Sequence, residues 1–280
     1  MPDRHAAIAG HRRFGSSDVT VSTFTFGSMR LDGVGRADAA WLLAYLHERG
    51  VTTFHSSHEY AGHDMFCALM RMLRKPVVHV AKIAVPHFEE RDFSAVRFRE
   101  HVDRELTALG VGRLDIVQWL VRSKPIADVP RLGILQRCAE EMARVWEALV
   151  AEGKVGVLTS FPYSPTFAAA ALAATPCAGL VSYLNVVERE LVPLLDDMAT
   201  RGQGLLAIRP LCAGQLPADV AVGEALRFPL LHPAVASVVV SVSSVAHAAE
   251  VLDALGDPPS DRVAFHAAVT RHNEAARASA

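Results

Sequence analysis

Five side chains able to transfer protons or bind metal ions lie in one short stretch, GVTTFHSSHEYAGH. They are His55, His58, Glu59, Tyr60 and His63. A phenol can donate a proton and a neutral imidazole can accept one, so the group suits acid-base catalysis. Imidazole and carboxylate also suit zinc and related ions. The H-x-x-H spacing falls in a loop, however, rather than at i and i+4 of a helix, and no further ligand is evident. We therefore predict acid-base chemistry and no metal site.

The stretch begins with VTTFHS, a β-branched run that predicts a strand. Seven other runs elsewhere in the chain have the same pattern. The expected strands cover 21–27, 51–56, 77–83, 114–120, 155–161, 179–184, 204–210 and 237–242. Amphipathic segments lie between them, and this alternation predicts an α/β fold with a parallel sheet. Eight such units predict a closed (β/α)8 TIM barrel, in which chemistry takes place at the C-terminal strand ends. We therefore expect His55 at the mouth and Tyr60 in the next loop.

The remaining segments fit one barrel domain over 1–280. A Gly-Ser-Ser-Asp turn predicts a hairpin over about 12–22 that closes the lower end of the barrel. A proline break before the last helical pattern predicts a C-terminal helix over about 260–277.

Composition excludes several other classes. Hydrophobic residues make up 51% of the chain, and 28 basic against 30 acidic residues give a net charge of -2. No basic run suggests a nucleic-acid partner. No signal peptide or membrane-spanning run is evident, which predicts a cytoplasmic protein with a small-molecule substrate. The four cysteines are scattered without a CxxC pair and are expected to be buried thiols. The oligomeric state is left open.

Seven segments occur in the order and spacing of the aldo-keto reductases. They are STFTFGSMRLDG, GVTTFHSSHEY, VVHVAKI, LGVGRLDIVQW, EGKVGVLTSFPYSP, YLNVVERE and IRPLCAGQL. Over essentially its whole length the chain resembles this superfamily. The resemblance implies an aldo-keto-reductase-like barrel and carbonyl reduction with NADPH by an Asp-Tyr-Lys-His tetrad.

The resemblance assigns the catalytic residues only in part. Tyr60 and Lys82 match the tyrosine and the lysine of the tetrad, whereas His55 stands at the aspartate position. The histidine position falls at Leu120, or at Trp119 if the alignment moves by one. We therefore predict Tyr60, Lys82 and His55 as catalytic, with His55 as a neutral proton acceptor. Glu59 is the alternative carboxylate for Lys82, although the family residue at this place points away.

The implied cofactor site is also altered. The Ser-Asn pair that binds the nicotinamide amide aligns with Phe161 and Pro162, and a glutamine contact aligns with Val181. The positions that keep a polar group toward the dinucleotide are Ser243, Ser244 and Glu250. No lysine or arginine accompanies them to meet a 2′-phosphate. The prediction is therefore no cofactor or weakly bound NADP(H).

Five residues at expected strand ends are predicted to bind substrate: Arg30, His87, Trp119, Phe161 and Arg209. The arginines suit carboxylate or phosphate, and an ion pair with Glu188 is the alternative for Arg209. His79 alternates with Lys82 along its strand and is expected to face outward.

Three functions remain open from the sequence. The first is redox-neutral acid-base chemistry, such as dehydration, isomerisation or cyclisation, on a small carbonyl or hydroxyl metabolite with Tyr60 as the acid. The second is an NAD(P)H-dependent carbonyl reductase with an unusual site. The third is a non-catalytic binding protein on the same scaffold.

Overall fold

The computed structural model describes residues 8–278, and its strands and helices alternate along the chain. The strands are β1 (His11–Arg13), β2 (Thr20–Ser22), β3 (Phe24–Gly27), β4 (Thr53–Ser57), β5 (Val78–Ala84), β6 (Leu114–Leu120), β7 (Val155–Ser160), β8 (Gly179–Tyr183), β9 (Gly204–Ile208) and β10 (Val235–Val240). The helices are α1 (Arg36–Glu48), α2 (His63–Leu73), α3 (Ala95–Leu109), α4 (Asp128–Ala151), α5 (Pro165–Ala174), α6 (Val192–Thr200), α7 (Val222–Arg227), α8 (Val245–Leu255) and α9 (Arg262–Ala278).

Strands β3 to β10 form a closed parallel barrel, so the predicted (β/α)8 fold is confirmed. Each strand pairs with the next in the sequence, and β10 pairs with β3. The register sets Lys82 beside Ser57 on one neighbouring strand and beside Gln118 on the other. Because parallel strands all end at the same edge, the side chains at their C-terminal ends converge on one mouth.

The first predicted strand is divided at Thr23. The Thr23 backbone N–H donates to the Gly10 carbonyl at 2.8 Å. The hydroxyl of the preceding Ser22 donates to the Phe24 carbonyl at 2.6 Å. These bonds turn the chain, so that β2 pairs antiparallel with β1 as a hairpin and β3 enters the barrel.

An apolar cluster fills the lower interior of the barrel. Phe14, Val19 and Val21 of the hairpin segment pack there against inward-facing residues of the strands. The strand members are Val80, Ile116, Val157, Val181, Leu206, Ala236 and Val239. Because side chains alternate along a strand, the next inward residue on β5 above Val80 is Lys82. The packed hairpin and this cluster fill the lower end of the barrel over the described residues.

The helices cover the outside of the barrel. Helix α3 begins after Ser94, whose hydroxyl accepts from Arg97 N, and is followed at its C-terminal end by Gly110, which has a φ of 70°. On β5, Ala81 and Ile83 pack in the outer core, and His79 shares their outward alternation and is buried, as expected. Over the described residues, no helix is long and apolar enough to cross a membrane. All four cysteines are free.

Candidate active site

A cavity of about 630 Å³ opens at the C-terminal ends of the strands. Side chains from the strand ends or the loops that follow them line it. The polar lining residues are Arg30, His55, Tyr60, Lys82, Gln118, Arg122, Tyr163, Tyr183, Arg209 and Ser241. Volumes of this size accommodate small-molecule ligands, and the apolar wall with a few convergent polar groups is typical of such sites.

The structure brings Tyr60, Lys82 and His55 together in this cavity. Tyr60 lies in the short loop between β4 and α2, and the Lys82 ammonium lies 5.1 Å from the centre of its ring. The His55 and Tyr60 ring centres are 6.5 Å apart. The three side chains therefore face one volume that a small substrate can enter.

Glu59 supplies the negative charge that His55 cannot. Its Oε2 lies 3.0 Å from Lys82 Nζ and accepts from Arg122 Nη2 at 2.6 Å, while Oε1 also contacts Arg122. Burial opposes ionisation of Glu59, but Arg122 and Lys82 outweigh it and lower its pKa to about 2. Glu59 is therefore the carboxylate that pairs with Lys82, which is the alternative given by the sequence.

His55 is buried and neutral. Its Nε2 lies 2.6 Å from Gln118 Oε1, and the Gln118 amide nitrogen donates to the Val181 carbonyl at 3.4 Å. This second bond turns the Gln118 oxygen toward His55, so His55 Nε2 carries the proton and Nδ1 keeps its lone pair. Burial, reinforced by the charge of Lys82, lowers the pKa of His55 to about 4 against the hydrogen bond to Gln118.

Tyr60 has a pKa shifted in the opposite direction. Burial first, and then the negative charge of Glu59, raise its pKa to about 12. The phenol is therefore protonated at neutral pH and available as a donor. The pKa values of Tyr60 and His55 are displaced in opposite directions, which is the arrangement expected of an acid and a base in one site.

Aromatic rings form the opposite wall. Phe161, a predicted substrate-binding residue, packs edge-on against Tyr163 at 4.9 Å and Tyr183 at 5.3 Å between ring centres. The Arg209 guanidinium lies 4.5 Å from the Tyr183 ring centre. It also pairs with Glu188 at 3.1 Å, which is the alternative given by the sequence.

Of the three remaining residues predicted to bind substrate, two lie at the mouth of the cavity and one does not. Arg30 lines the cavity, and His87 contacts the rim through Glu59 at 3.4 Å. Trp119 does not line the cavity, so its assignment to substrate is wrong. Its ring is fully buried, donates from Nε1 to the Val85 carbonyl at 2.6 Å and packs against Phe93.

The error at Trp119 has a simple physical reason. Alternate residues of a strand face opposite sides, and on β6 Gln118 and Leu120 face the cavity. Trp119 between them must therefore face the helix layer. The same alternation in LDIVQWL places Gln118 on the cavity side, so the sequence carries a signal for this site residue.

His58 and His63 turn away from the mouth toward α3. His58 Nδ1 lies 3.2 Å from one oxygen of the Glu105 carboxylate, and His63 Nε2 lies 3.3 Å from the other. Neither contact has the direction of a hydrogen bond. Burial opposes the charge on both His63 and Glu105. The contact with Cys67 and then that with Glu105 nevertheless raise the pKa of His63, and the contacts with His58 and His63 lower the pKa of Glu105. One buried carboxylate thus attaches both ends of the loop that carries Tyr60.

A separate cluster on the outside of the barrel contains Asp196, His232 and His266, with possible ligand atoms within 4.8 Å of one another. Its hydrogen bonds define a different role. Ala234 N donates to His232 Nδ1 at 3.2 Å, so Nε2 carries the proton and donates to Asp196 at 3.1 Å. Arg262 pairs with the same carboxylate at 3.1 Å. The cluster therefore joins α6 to α9 by ion pairs and hydrogen bonds.

The predicted cofactor residues lie outside the cavity wall. Ser244 caps α8 by accepting from His247 N at 3.2 Å, and Ser243 and Glu250 are exposed. No lysine or arginine occurs over 243–250 to meet a 2′-phosphate.

The positions that the resemblance aligns with nicotinamide contacts include two apolar side chains in the structure. Phe161 presents an apolar ring there, and Val181 belongs to the interior apolar cluster. This donor set does not fit a tightly held NADP(H), and we assign no catalytic step through that group.

Several site residues were missed by the sequence analysis. Arg122 and Tyr163 lie two and three residues beyond the ends of β6 and β7, where strand periodicity no longer indicates direction. Tyr183 ends β8 and was predicted only as part of a strand.

Comparison with protein-family models and with curated proteins gives no match for this sequence. Solved structures do match. An aldo-keto reductase from Bacillus halodurans in its holo form superposes with a TM-score of 0.78 at 17% identity, over 94% of this chain and 96% of that chain. A Pseudomonas aeruginosa protein assigned by its title to the aldo-keto reductases superposes with a TM-score of 0.73 at 24% identity, over 89% of this chain and 96% of that chain. The chain therefore has the aldo-keto reductase fold.

Proposed function

We propose that the protein is an enzyme that moves protons on a small carbonyl- or hydroxyl-bearing metabolite, with Tyr60 as the acid. One observation carries the proposal: a protonated phenol and a neutral imidazole share a closed-ended cavity, with ring centres 6.5 Å apart. A substrate placed between them can receive a proton on oxygen and lose one from a neighbouring atom. Dehydration, isomerisation and cyclisation all require this pair of transfers.

Each residue has a defined part in the proposed reaction. His55 Nδ1 accepts the proton from carbon, the carbon-hydrogen electron pair moves toward the carbonyl, and Tyr60 protonates the carbonyl oxygen. Lys82 stabilises negative charge on that oxygen. A base as weak as His55, with a pKa of about 4, is effective only when the oxygen is stabilised in this way. Glu59 holds Lys82 in position.

Proton exchange tests the proposal without knowledge of the natural substrate. A panel of small ketones and hydroxyketones is incubated with the protein in D2O, and deuterium at the carbon beside the carbonyl is followed by NMR. We expect exchange with the wild-type protein and its loss in Tyr60→Phe. His55→Ala should also lose it, and His55→Asp should retain part of it because a carboxylate replaces the base. Wild-type exchange in both His55 variants would show that the imidazole is a bystander.

A reductase that uses NAD(P)H is the second candidate. The Lys82–Glu59 ion pair favours it, because it restores a lysine-carboxylate pair beside the tyrosine, and the matched fold includes a holo enzyme. Titration with NADPH and NADP separates the two candidates, since only the reductase requires tight binding. A protein that binds small ketones but neither exchanges protons nor binds NADPH would instead be a non-catalytic binding protein.

A further inference from the structure

Tyr163 lies in the aromatic wall and brings a second phenol into the cavity. It follows β7 by three residues and lines the same volume as Tyr60. Packing against Phe161 at 4.9 Å and against Phe167 at 6.5 Å fixes the plane of its ring. The neighbouring strand end, at Leu120, offers only an apolar side chain to the cavity. Tyr163 is therefore placed to supply a hydroxyl to this part of the wall.

A buried arginine lies directly against the Tyr163 ring. The guanidinium carbon of Arg131, on α4, is 3.5 Å from the ring centre, and the side chain is only 5% exposed. The carboxylate of Asp128 is 3.9 Å away, and among the described residues the buried Arg131 Nε has no hydrogen-bond partner. Burial of an incompletely paired cation is costly. A positive charge over a phenol ring favours negative charge on that phenol, which strengthens the hydroxyl as a donor.

Tyr163 is also linked to the catalytic group. The link is Arg122, whose charge acts on the Tyr163 phenol. Arg122 also pairs with Glu59, and Glu59 pairs with Lys82 at 3.0 Å. Burial raises the pKa of Tyr163, while the positive charges of Arg122 and Arg131 act against that rise. Cations therefore lie beside both phenols, with Lys82 at Tyr60 and two arginines at Tyr163.

We propose that Tyr163 is a second hydrogen-bond donor to the reacting oxygen of the substrate, with Arg131 as the residue that polarises it. This inference rests on the proposed function. When His55 removes a proton from carbon, negative charge forms on the oxygen. Tyr163 stabilises that charge by a hydrogen bond and keeps its own proton, whereas Tyr60 transfers its proton. The site thus has one acid and one oxyanion-holding phenol.

The test uses 4-nitrophenol, whose oxygen is neutral or anionic according to pH and whose anion absorbs visible light. Binding is measured by calorimetry and absorbance for wild-type protein, Tyr163→Phe and Arg131→Met. Tyr45→Phe is the matched control, because Tyr45 is a buried tyrosine of α1 that does not line the cavity. We expect the wild-type protein to prefer the anion, Tyr163→Phe to bind it about tenfold less tightly, and Arg131→Met to show a smaller loss. The neutral analogue 4-nitroanisole should bind all four proteins alike.

Three results would overturn the inference. They are a wild-type protein without preference for the anion, an unchanged affinity in Tyr163→Phe, and an equal loss in Tyr45→Phe. Circular dichroism and urea unfolding confirm that each variant is folded. In the deuterium-exchange assay, Tyr163→Phe should lower kcat more than it changes KM. Because nitrophenolate binding does not require turnover, absence of proton exchange with intact anion binding would contradict the proposed function alone.

Discussion

Lys82 and Glu59 form an ion pair in the cavity wall, with Nζ and Oε2 3.0 Å apart. Glu59 also accepts from Arg122 at 2.6 Å, so that one carboxylate lies against two cations. This arrangement compensates for the histidine at position 55, which carries no negative charge at neutral pH. The carboxylate that pairs with Lys82 therefore belongs to Glu59 in the loop after β4, and not to residue 55 on the strand.

Replacement of Glu59 by glutamine should make Tyr60 more acidic. The negative charge of Glu59 raises the pKa of Tyr60, which is about 12 in the native protein, and its removal leaves two unpaired cations nearby. We therefore expect a lower Tyr60 pKa in Glu59→Gln, measured from phenolate absorbance as the difference from a protein that also carries Tyr60→Phe. Glu89→Gln, an exposed carboxylate paired with Lys124, is the control. An unchanged Tyr60 titration would refute the coupling.

Removal of the Glu105 charge should destabilise the fold. The Glu105 side chain is 1% exposed and lies against His58 and His63, and breaking a buried charged pair costs about 3–5 kcal/mol. Because His58 is 21% exposed, we expect the lower end of this range for Glu105→Gln in urea unfolding. Glu100→Gln, on the exposed side of the same helix, should change stability by less than about 0.5 kcal/mol. Equal losses in the two variants would contradict this role for Glu105.

The same pair predicts a pH window for stability. The folded-state pKa of Glu105 is lowered, so its contribution is present above the unfolded-state pKa and is lost as pH falls through the folded value. The folded-state pKa of His63 is raised, so its contribution is complete below the unfolded-state pKa and declines as pH rises toward the folded value. Unfolding free energy measured against pH should thus fall on both sides, and Glu105→Gln should flatten the profile. A wild-type profile in Glu105→Gln would exclude the pair as its source.

Trp119→Phe should affect stability and leave the cavity unchanged. The substitution removes the hydrogen bond to the Val85 carbonyl and part of the packing against Phe93, which together predict a loss of about 2 kcal/mol. Affinity for 4-nitrophenolate should match that of the wild-type protein. Phe161→Leu, which alters the wall itself, should change that affinity. A Trp119 variant with altered binding and native stability would reverse this assignment.

Affinity for NADPH should be low. Each absent hydrogen bond to the nicotinamide amide is worth about 1 kcal/mol, and three of them predict binding weaker by roughly a hundredfold or more than in a reductase that makes them. Calorimetry with NADPH and NADP measures this directly. The double variant Phe161→Ser, Pro162→Asn should bind NADPH more tightly than wild type, and Ser243→Ala should make little difference. Micromolar or tighter binding by the wild-type protein would favour the reductase.

The barrel could be predicted because its signal is periodic and repeated. Eight apolar runs separated by amphipathic segments specify the same architecture at every unit, so errors of one or two residues at strand ends do not change the fold. The positions of His55 and Lys82 followed from the same pattern. Tyr60 could be placed from its spacing after β4.

The contacts made by loop side chains could not be predicted in this way. The direction of Glu59 depends on a turn without periodicity and on Arg122, 63 residues away in the chain. The stacking of Arg131 on Tyr163 joins a helix to a loop that follows the next strand. Such pairs are determined by tertiary packing. The spacing of residues in a single sequence does not indicate which distant side chains will meet.

The attachment of His58 and His63 to opposite oxygens of Glu105 has an evolutionary consequence. The two histidines enclose the residues between them at a fixed span, and one side chain on another helix receives both. Related sequences that lose Glu105 should therefore lose both histidines together. Those that keep all three should tolerate no insertion or deletion between positions 58 and 63.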